Sequence, residues 1–331
     1  MRKILVTAIS GDVANGVLKC LRDFYPDDSI IGCDVNQYPC GLDKVNDFFR
    51  SVYYFKTEEY LSLIRDNCIK FGITHLIPCN EGEISVFHKN RNIFNDLGVK
   101  VIINNELILN TFLSKYNTAK FLKDNGLPYP RTYKLSEYKG DLQFPIIIKS
   151  DSTSGSKSLF IVNGQEELNF YAKKCTDPVL QEYLNNKEEE YTVGVYSNRK
   201  ETHTIIFKRE LASGGYTKQI ELAYIDAVEK IAHQIVKKTE LYGSINLQLR
   251  KHDEEYIIFE INPRISGTSF FRHQLGFMDT VWWLENMDNQ QYSPNYIPEY
   301  KRAIGVRELS EKIILKEHMN EKGSNFWDRT I

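Results

Sequence analysis

Short apolar runs alternate with amphipathic helical stretches through the first third of the sequence, and this alternation limits the possible fold more than any other feature. The strand-like runs are rich in β-branched residues: Lys3–Ser10, Ser29–Asp34, Thr74–Pro78 and Val99–Ile103. Helical patterns at Val13–Phe24 and Glu58–Lys70 lie between them, and Gly72 stands where the second helix would end. Such alternation is typical of a parallel, doubly wound α/β sheet, which we expect over residues 1–107.

The pattern changes after a long helical stretch at residues 108–125, which Gly126 and Pro128 would end. Strand-like segments then follow one another, mostly through short loops, with helices expected near Glu166–Lys174 and at Ala223–Thr239. The strand-like segments are Pro145–Ser150, Leu159–Val162, Val179–Tyr183, Glu190–Tyr196, Thr202–Phe207, Tyr216–Gln219, Ser244–Arg250 and Tyr256–Asn262. This order predicts an α+β fold with antiparallel pairing.

Composition excludes several function classes. The 331 residues are 42% hydrophobic and 26% charged, as in ordinary globular proteins of more than one domain. A net charge of -2 argues against a nucleic-acid partner, and no apolar run approaches the roughly 20 residues that span a membrane. The six cysteines show neither CxxC pairs nor zinc-finger spacing. Because the apolar N-terminal run ends at Gly11, we interpret it as a strand rather than a signal peptide and expect a cytoplasmic protein.

A lysine ends an apolar strand directly before a loop of small residues. Lys149 follows Pro145-Ile-Ile-Ile, and serine, threonine and glycine dominate residues 150–158. Small residues let backbone N–H groups approach phosphate oxygens, while Lys149 would supply a fixed positive charge. A lysine before an ordinary surface loop is the alternative, since short glycine-containing motifs often arise by chance and no Walker A motif is present.

Two strands joined by a short polar link follow, at Leu180–Leu184 and Glu190–Tyr196. In the second strand Glu190, Thr192 and Gly194 share one face. A carboxylate accepts two hydrogen bonds readily, which suits a ribose diol. A solvated edge of a sheet is the alternative interpretation.

The segment Ser244–Asn262 predicts a β-hairpin with one polar face. Alternation places Asn246, Gln248 and Arg250 on that face in the first strand, with Glu260 and Asn262 in the second. The apolar positions of the second strand, expected on the other face, are Ile257, Phe259 and Ile261. Carboxylate and amide oxygens are ligands that Mg²⁺ prefers, and Arg264 follows at once, where it could bind a phosphoryl oxygen.

These segments together resemble the ATP-grasp superfamily, above all the synthetase halves of the carbamoyl-phosphate synthase large chain. The matching segments are Pro145–Lys149, Gln181–Leu184, Glu190–Val193, Asn246–Leu249 and Phe259–Arg264. They occur in the family's order and at about its spacing. The resemblance implies a Rossmann-like pre-ATP-grasp domain over residues 1–107, followed by a two-lobed ATP-grasp fold. The two lobes would span residues 108–184 and 185–331, the second including a C-terminal extension.

The resemblance also implies a role for each matched residue. Lys115 and Lys149 would contact phosphates, and a loop containing Ser154, Gly155 and Ser156 would close over them. The residues implied around the base and sugar are Gln181, Glu182, Tyr183 and Leu184 for adenine and Glu190 for ribose. The implied metal ligands are Gln248, Glu260 and Asn262, for Mg²⁺ or alternatively Mn²⁺. Arg264 and Lys149 would stabilise the transferred phosphoryl group of ATP.

The activity that the resemblance implies is ATP-dependent joining of a carboxylate to an amine or a thiol through an acyl phosphate. Amino acids or carboxylated sugars are the small-molecule substrates expected by analogy, and a homodimer is expected because relatives often dimerise. The segment Phe207–Lys218 is a candidate anion-binding loop, with an exposed basic loop as the alternative. The substrate candidates are Lys208, Arg209, Gly214, Gly215, Lys218, Ser266 and Gly267.

Two departures from the family keep other functions open. The phosphate loop has Gly155 as its only glycine, and the sequence resembles a single synthetase unit. Phosphorylation of bicarbonate or carbamate and a non-catalytic ATP-binding protein are therefore alternatives. A nucleotide-linked oxidoreductase is a third, because Gly11, Gly16 and Asp34 loosely resemble a dinucleotide fold, although G-x-G-x-x-G is absent.

Overall fold

The computed structural model describes residues 1–152, 159–185 and 189–308. The chain forms two compact units. Among the described residues, unit 1 contains 1–103, 265–297 and 307–308, and unit 2 contains those between 104 and 264 together with 298–306. Residues 265–297, which the sequence assigned to the C-terminal lobe, thus lie with the N-terminal segment.

Unit 1 is built on a five-stranded parallel sheet. Its strands are β1 (Lys3–Thr7), β2 (Ser29–Asp34), β3 (Asp47–Arg50), β4 (His75–Ile77) and β5 (Lys100–Val101). They lie in the order β3-β2-β1-β4-β5. The helices between them are α1 (Asp12–Phe24), α2 (Thr57–Phe71), α3 (Glu81–Lys89) and α4 (Arg91–Asn95). The predicted parallel α/β sheet is confirmed, and Gly72 ends α2 in the left-handed conformation, with φ of 64°.

Unit 2 contains two antiparallel sheets, one of four strands and one of six. The strands of the smaller sheet are β6 (Thr132–Lys134), β7 (Ile146–Ser150), β8 (Leu159–Val162) and β9 (Pro178–Glu182), in the order β6-β9-β7-β8. Those of the larger sheet are β10 (Glu190–Asn198), β11 (Thr202–Leu211), β12 (Thr217–Ala223), β13 (Tyr242–His252), β14 (Glu255–Asn262) and β15 (Ile304–Val306). Their order is β14-β13-β10-β11-β12-β15. The helices of unit 2 are α5 (Glu106–Phe112), α6 (Lys115–Asp124), α7 (Gln165–Ala172) and α8 (Asp226–Thr239).

The prediction of a single helix over residues 108–125 is wrong, because α5 and α6 are separate helices. Ser114 caps α6, its hydroxyl accepting a hydrogen bond from the Asn117 N–H at 3.0 Å. The Asp151 carboxylate accepts a second one from the Tyr116 N–H at 2.8 Å. Both acceptors satisfy N–H groups that a continuous helix would bond internally, so the chain turns at Ser114. The predicted helix at Ala223–Thr239 also begins later than expected, since Ala223 belongs to β12.

Each sheet of unit 2 covers an apolar core on one face. Side chains of α8, including Val228 and Ile235, pack with Val193 and Leu247 of the larger sheet, and all four are fully buried. A second core lies against the smaller sheet and includes Ile146, Ile148, Val162, Leu168 and Leu180. Because side chains alternate along a strand, the polar residues of the same strands face away from these cores.

The chain returns to unit 1 through two helices that the sequence did not predict, α9 (Ser269–Gln274) and α10 (Asp279–Asp288). A side chain on Gly16 of α1 would collide with the hydroxyl of Ser269, so this glycine allows α9 to approach closely. Arg272 and Asp279 form an ion pair at 3.2 Å with both side chains fully buried. None of the helices in the described part of the chain is both long and apolar enough to cross a bilayer.

Candidate active site

The polar face of the β13–β14 hairpin brings together the three predicted metal ligands. Gln248 pairs directly with Glu260 across the two strands, and Asn262 lies two residues farther along, opposite Asn246. The side chains of Gln248 and Glu260 are partly exposed, whereas Asn262 is buried. The hairpin and its polar face therefore lie where the sequence placed them.

The strict alternation predicted for the second strand is wrong. The register shifts after Gln248, so that Leu249 pairs with Ile258 and Phe259 is an extra residue. Ile258 is consequently buried in the core. The ring centroid of Phe259 instead lies 5.2 Å from the guanidinium carbon of Arg250. A β-bulge of this kind inserts one unpaired residue and re-aims its neighbours, which places Phe259 beside Glu260.

Arg264 is bound to one of the predicted metal ligands. Its Nη2 donates to Asn262 Oδ1 at 2.6 Å. The other side-chain atom of this buried amide, Nδ2, makes no hydrogen bond within the described part of the chain. Across residues 1–152, 159–185 and 189–308, no group of three His, Cys, Asp or Glu residues forms a metal site. The hairpin set differs from such groups because Gln248 and Asn262 are amides.

Lys149 is buried at the end of β7, with only 4% of its surface exposed. Its Nζ donates to Gln181 Oε1 at 2.8 Å, and Gln181 Nε2 in turn donates to Thr132 Oγ1 at 3.0 Å. Burial lowers the pKa of Lys149 from 10.5 to about 8, and the nearby charge of Glu260 partly opposes that shift. Lys149 therefore lies within electrostatic reach of the hairpin. Gln181, implied as an adenine contact, uses its side chain to hold this lysine.

Lys115 begins α6 and is tied to the strand that precedes the predicted phosphate loop. Its Nζ donates to the backbone carbonyl of Asp151 at 3.0 Å, and the Ser114 hydroxyl donates to Asp151 Oδ2 at 2.7 Å. The charge of Lys115 also helps to lower the pKa of Lys149. The implied loop residues Ser154, Gly155 and Ser156 lie outside the described residues.

The implied adenine segment follows β9 without regular structure at residues 183–185. The Glu182 N–H donates to the carbonyl of Arg131 at 2.9 Å, and its carboxylate accepts from the Arg131 side chain at 3.2 Å. Leu184 is buried, and its carbonyl accepts from Arg250 Nη1 at 2.8 Å. Tyr183 is half-buried. The segment is thus fixed at both ends by arginine residues.

Glu190 is buried between two arginine side chains, which excludes the alternative of a solvated edge. Arg209 donates to its Oε1 from Nε at 2.9 Å and from Nη2 at 2.6 Å. Arg250 donates to its Oε2 from Nε at 3.0 Å and from Nη2 at 2.7 Å. Neither arginine was implied at this position by the resemblance. Alternation along the predicted strand did place Arg250 on the same face as Gln248, and this signal pointed to it.

The predicted basic loop is largely strand. Lys208 and Arg209 lie in β11 and Lys218 in β12, and only a tight turn with Gly214 and Gly215 joins the two strands. Lys208 is paired with Glu189 at 2.9 Å and Lys218 with Glu210 at 2.6 Å. Both lysine side chains therefore form ion pairs with carboxylates. The prediction of a loop over Phe207–Lys218 is wrong. Antiparallel pairing satisfies the backbone of both segments.

The last two substrate candidates lie in unit 1 and are held by local contacts. The Ser266 hydroxyl lies 3.0 Å from that of Thr268. The Gly267 carbonyl accepts from Arg307 at 2.7 Å, and a side chain at Gly267 would collide with the Asp12 carboxylate. Position 267 therefore needs glycine for packing in unit 1.

Asp34, one of the residues that suggested a dinucleotide fold, stabilises the backbone of two neighbouring segments. Its carboxylate accepts from the Ser10 N–H at 2.7 Å and from the Asn36 N–H at 2.8 Å. These bonds hold the segments that follow β1 and β2, so the Asp34 carboxylate is already occupied and does not stand free for a ribose. This arrangement argues against the oxidoreductase alternative.

Comparison with known proteins agrees with this geometry. Residues 113–268 match the family model described as an ATP-grasp domain. The carbamoyl phosphate synthase large chain of Thermotoga neapolitana is 26% identical over 174 residues, which are 45% of this chain and 16% of the relative. The corresponding protein of Campylobacter jejuni is 22% identical over 194 residues, 52% of this chain and 18% of the relative. The chain thus spans less than a fifth of the length of these curated relatives.

Solved structures share the fold over most of the chain. An L-amino acid ligase from Bacillus licheniformis matches with a TM-score of 0.71 and 15% identity, covering 90% of this chain and 78% of its own. N5-carboxyaminoimidazole synthetase from Staphylococcus aureus complexed with ADP matches with a TM-score of 0.73 and 14% identity, covering 97% of this chain and 86% of its own.

A biotin carboxylase domain dimer from Hydrogenobacter thermophilus, in complex with MgADP and bicarbonate, gives a TM-score of 0.70 and 13% identity, covering 92% of this chain and 74% of its own. At such identities the likeness concerns the fold. The predicted resemblance is confirmed: residues 113–268 match an ATP-grasp domain, the chain is partly homologous to the carbamoyl phosphate synthase large chain, and it shares the fold of these ligase, synthetase and carboxylase structures.

Proposed function

We propose that this protein is an ATP-dependent ligase. It would transfer the terminal phosphoryl group of ATP to a small carboxylate, releasing ADP, and an amine or a thiol would then attack the acyl phosphate and release phosphate. The observation that carries the proposal is the hairpin register, which sets Gln248 opposite Glu260 within electrostatic reach of buried Lys149. Oxygen ligands beside a desolvated cation suit the terminal phosphates of a nucleotide. The names of the structural relatives, an amino acid ligase and a synthetase bound to ADP, support the same chemistry.

The residues present fit a nucleotide-bound divalent cation. The hairpin offers two amide oxygens and one carboxylate, which are hard donors of the kind that Mg²⁺ and Mn²⁺ accept. With one negative charge among three ligands, the phosphates of ATP would supply the remaining oxygens. When bound, the cation would neutralise charge on the phosphate oxygens. MgADP in the biotin carboxylase domain supports this assignment.

The protein's own cations would bind and orient the phosphates. Lys149 holds its ammonium group in a buried position through Gln181, and Lys115, at the start of α6, contacts the backbone of Asp151 two residues farther along the chain. Arg264 is oriented by Asn262 and would donate to the phosphoryl oxygens during transfer. In a site shielded from water such charges act more strongly than at the surface. Phosphoryl transfer of this type relies on positioning and charge neutralisation, so no protein nucleophile is needed.

Substrate identity belongs to the same proposal. An amino acid as a substrate is supported by the name of one structural relative, an L-amino acid ligase, and the same name favours an amine acceptor over a thiol. A carboxylated sugar as the carboxylate rests on the family resemblance alone. Phosphorylation of bicarbonate or carbamate is the second candidate, because the homologous segment comes from carbamoyl phosphate synthase. We further propose a cytoplasmic homodimer, by analogy with the dimeric biotin carboxylase domain.

A screen for ADP formation tests this function. The protein is incubated with ATP and Mg²⁺, and pools of carboxylates and amines are added separately and together. We expect ADP formation to require both kinds of pool and to fall by roughly 100- to 1,000-fold in Glu260→Ala. Glu254→Ala, at the exposed tip of the same hairpin, is the matched control and should keep wild-type activity. Bicarbonate alone as the stimulating carboxylate would indicate the second candidate. ADP formation that no pool stimulates, or that Glu260→Ala leaves intact, would contradict the proposal.

A further inference from the structure

The buried triad of Arg209, Glu190 and Arg250 lies across the three central strands of the larger sheet in unit 2. Glu190 pairs in register with Arg250 on β13, and Arg209 projects from β11 on the other side. The exposed fractions of the side chains are 9%, 5% and 15% in that order. The three charges therefore sit inside the unit, where a charged side chain is retained only if it is well paired.

The hydrogen bonds of the triad leave no acceptor position on Glu190. A carboxylate offers about four lone-pair positions, two on each oxygen. Arg209 fills both positions of Oε1, and Arg250 fills both positions of Oε2, at 2.6–3.0 Å. A ribose diol would have to displace charge-assisted bonds from a buried ion pair, and such bonds are about twice as strong as those between neutral groups. The geometry thus disagrees with the ribose role that the family resemblance implies for Glu190.

The outer ends of the two arginine residues reach different parts of the candidate site. Arg209 Nη2 also donates to Gln248 Oε1 at 2.9 Å. Arg250 Nη1 donates to the carbonyl of Leu184 at 2.8 Å, and its guanidinium faces the ring of Phe259. One carboxylate thereby connects the segment implied to bind adenine with the hairpin implied to bind the cation.

We propose that Glu190 is a positioning residue that acts through its two arginine partners and does not itself bind the sugar. Arg209 fixes the orientation of the Gln248 amide, because a donor on one lone pair of Oε1 leaves the second lone pair for a cation. Without Arg209 the amide can rotate and present its NH₂ group to the cation. Arg250 holds the Leu184 segment at its place beside the hairpin. This inference rests on the proposed binding of ATP with a divalent cation.

The first test separates cation-dependent binding from nucleotide binding. Calorimetry measures the Kd of ATP in the presence of Mg²⁺ and again in EDTA, for the wild type, Arg209→Lys and Lys237→Met. Lysine keeps the positive charge but lacks the fork that bonds Glu190 and Gln248 together. We expect Arg209→Lys to weaken binding of ATP about 10-fold with Mg²⁺ and less than 2-fold in EDTA. Lys237→Met, on the exposed side of α8, should match the wild type in both conditions.

The second test asks whether Glu190 recognises the sugar. The ratio of the Kd values for ATP and 2′,3′-dideoxy-ATP is compared between the wild type and Glu190→Gln. An unchanged ratio with weaker Mg²⁺-dependent binding supports the positioning role. A preference for ATP that disappears in Glu190→Gln would overturn it. If Glu190→Gln does not fold, the comparison of Arg209→Lys with the wild type tests the inference by itself. A loss of ATP affinity in Arg209→Lys that is the same with Mg²⁺ and in EDTA would also refute the inference. A wild-type protein that binds no ATP in either condition would contradict the proposed function instead.

Discussion

Replacing Lys149 with methionine should make the protein more stable and, at the same time, a poorer binder of nucleotide. Lys149 is a buried cation whose pKa is lowered to about 8 because burial disfavours its charged form. At neutral pH the folded protein must nevertheless hold most of that charge. Methionine is apolar, unbranched and of similar length, so it can fill the same space without the charge.

Two opposing contributions determine how much Lys149→Met raises the free energy of unfolding. A pKa lowered from 10.5 to about 8 corresponds to roughly 3 kcal/mol by which burial disfavours the ammonium ion. The substitution also leaves Gln181 Oε1 without its donor at 2.8 Å, which costs about 1–2 kcal/mol in a buried position. We therefore expect Lys149→Met to raise the free energy of unfolding by roughly 1–2 kcal/mol at pH 7.

The pH dependence identifies the cause of that gain. Lys149 binds its proton more weakly in the folded than in the unfolded protein, so the wild type gains stability as the pH rises towards 10.5. The advantage of Lys149→Met should narrow by roughly 1 kcal/mol between pH 7 and pH 9. Urea unfolding at the two pH values measures this, with Lys230→Met, at an exposed position of α8, as the control.

Nucleotide binding should change in the opposite direction. Calorimetry should show at least a 10-fold weaker Kd for ATP in Lys149→Met, because the phosphates lose a cation shielded from water. In the wild type, ATP affinity should fall above pH 8 as Lys149 loses its proton. A variant that is less stable than the wild type at pH 7, or that binds ATP equally well, would refute this reasoning about the buried lysine.

Two further predictions concern other residues. Burial raises the pKa of Glu83 from 4.5 to about 7, between hydroxyl donors Thr7 at 2.5 Å and Tyr60 at 2.8 Å. Because the folded protein retains this proton longer than the unfolded one, wild-type stability should fall as the pH rises from 4.5 to 7. Glu83→Gln should remove most of that slope, and an unchanged slope in urea titrations would contradict it. Asp151→Ala should cost about 1 kcal/mol of stability in urea unfolding, because α6 loses the carboxylate that caps it. It should also raise the Kd for ATP by loosening the start of α6 that carries Lys115, whereas exposed Asp124→Ala should do neither.

The parts of the fold that follow a local period could be predicted from the sequence. Alternation along the hairpin set Gln248, Glu260 and Asn262 on one face, and the observed register keeps them there. The bulge at Phe259 could not be foreseen, because an inserted residue changes the pairing without changing the composition of the strand. The break at Ser114 could have been recognised, because serine is a preferred residue at the position that caps the start of a helix. Its hydroxyl accepts the hydrogen bond of the backbone N–H three residues later, here that of Asn117.

The partners of the site residues could not be predicted in the same way. Arg209 and Arg250 lie on strands that flank Glu190, and only the sheet order brings them to the same carboxylate. A pattern along one strand identifies which residues share a face, but it does not identify the neighbour across the sheet. The same reason explains why Arg209 was expected to meet a substrate, although its guanidinium bonds Glu190 and Gln248.

Locating the divalent cation in a nucleotide complex tests the proposed site most directly. Crystals grown with Mn²⁺ and a non-hydrolysable ATP analogue allow the metal to be placed by its anomalous scattering. We predict a peak within about 2.0–2.3 Å of oxygens from Glu260 and Asn262, with the terminal phosphates beside Lys149. Mn²⁺ held away from the β13–β14 hairpin, or a nucleotide bound far from Lys149, would contradict the proposed ligase chemistry.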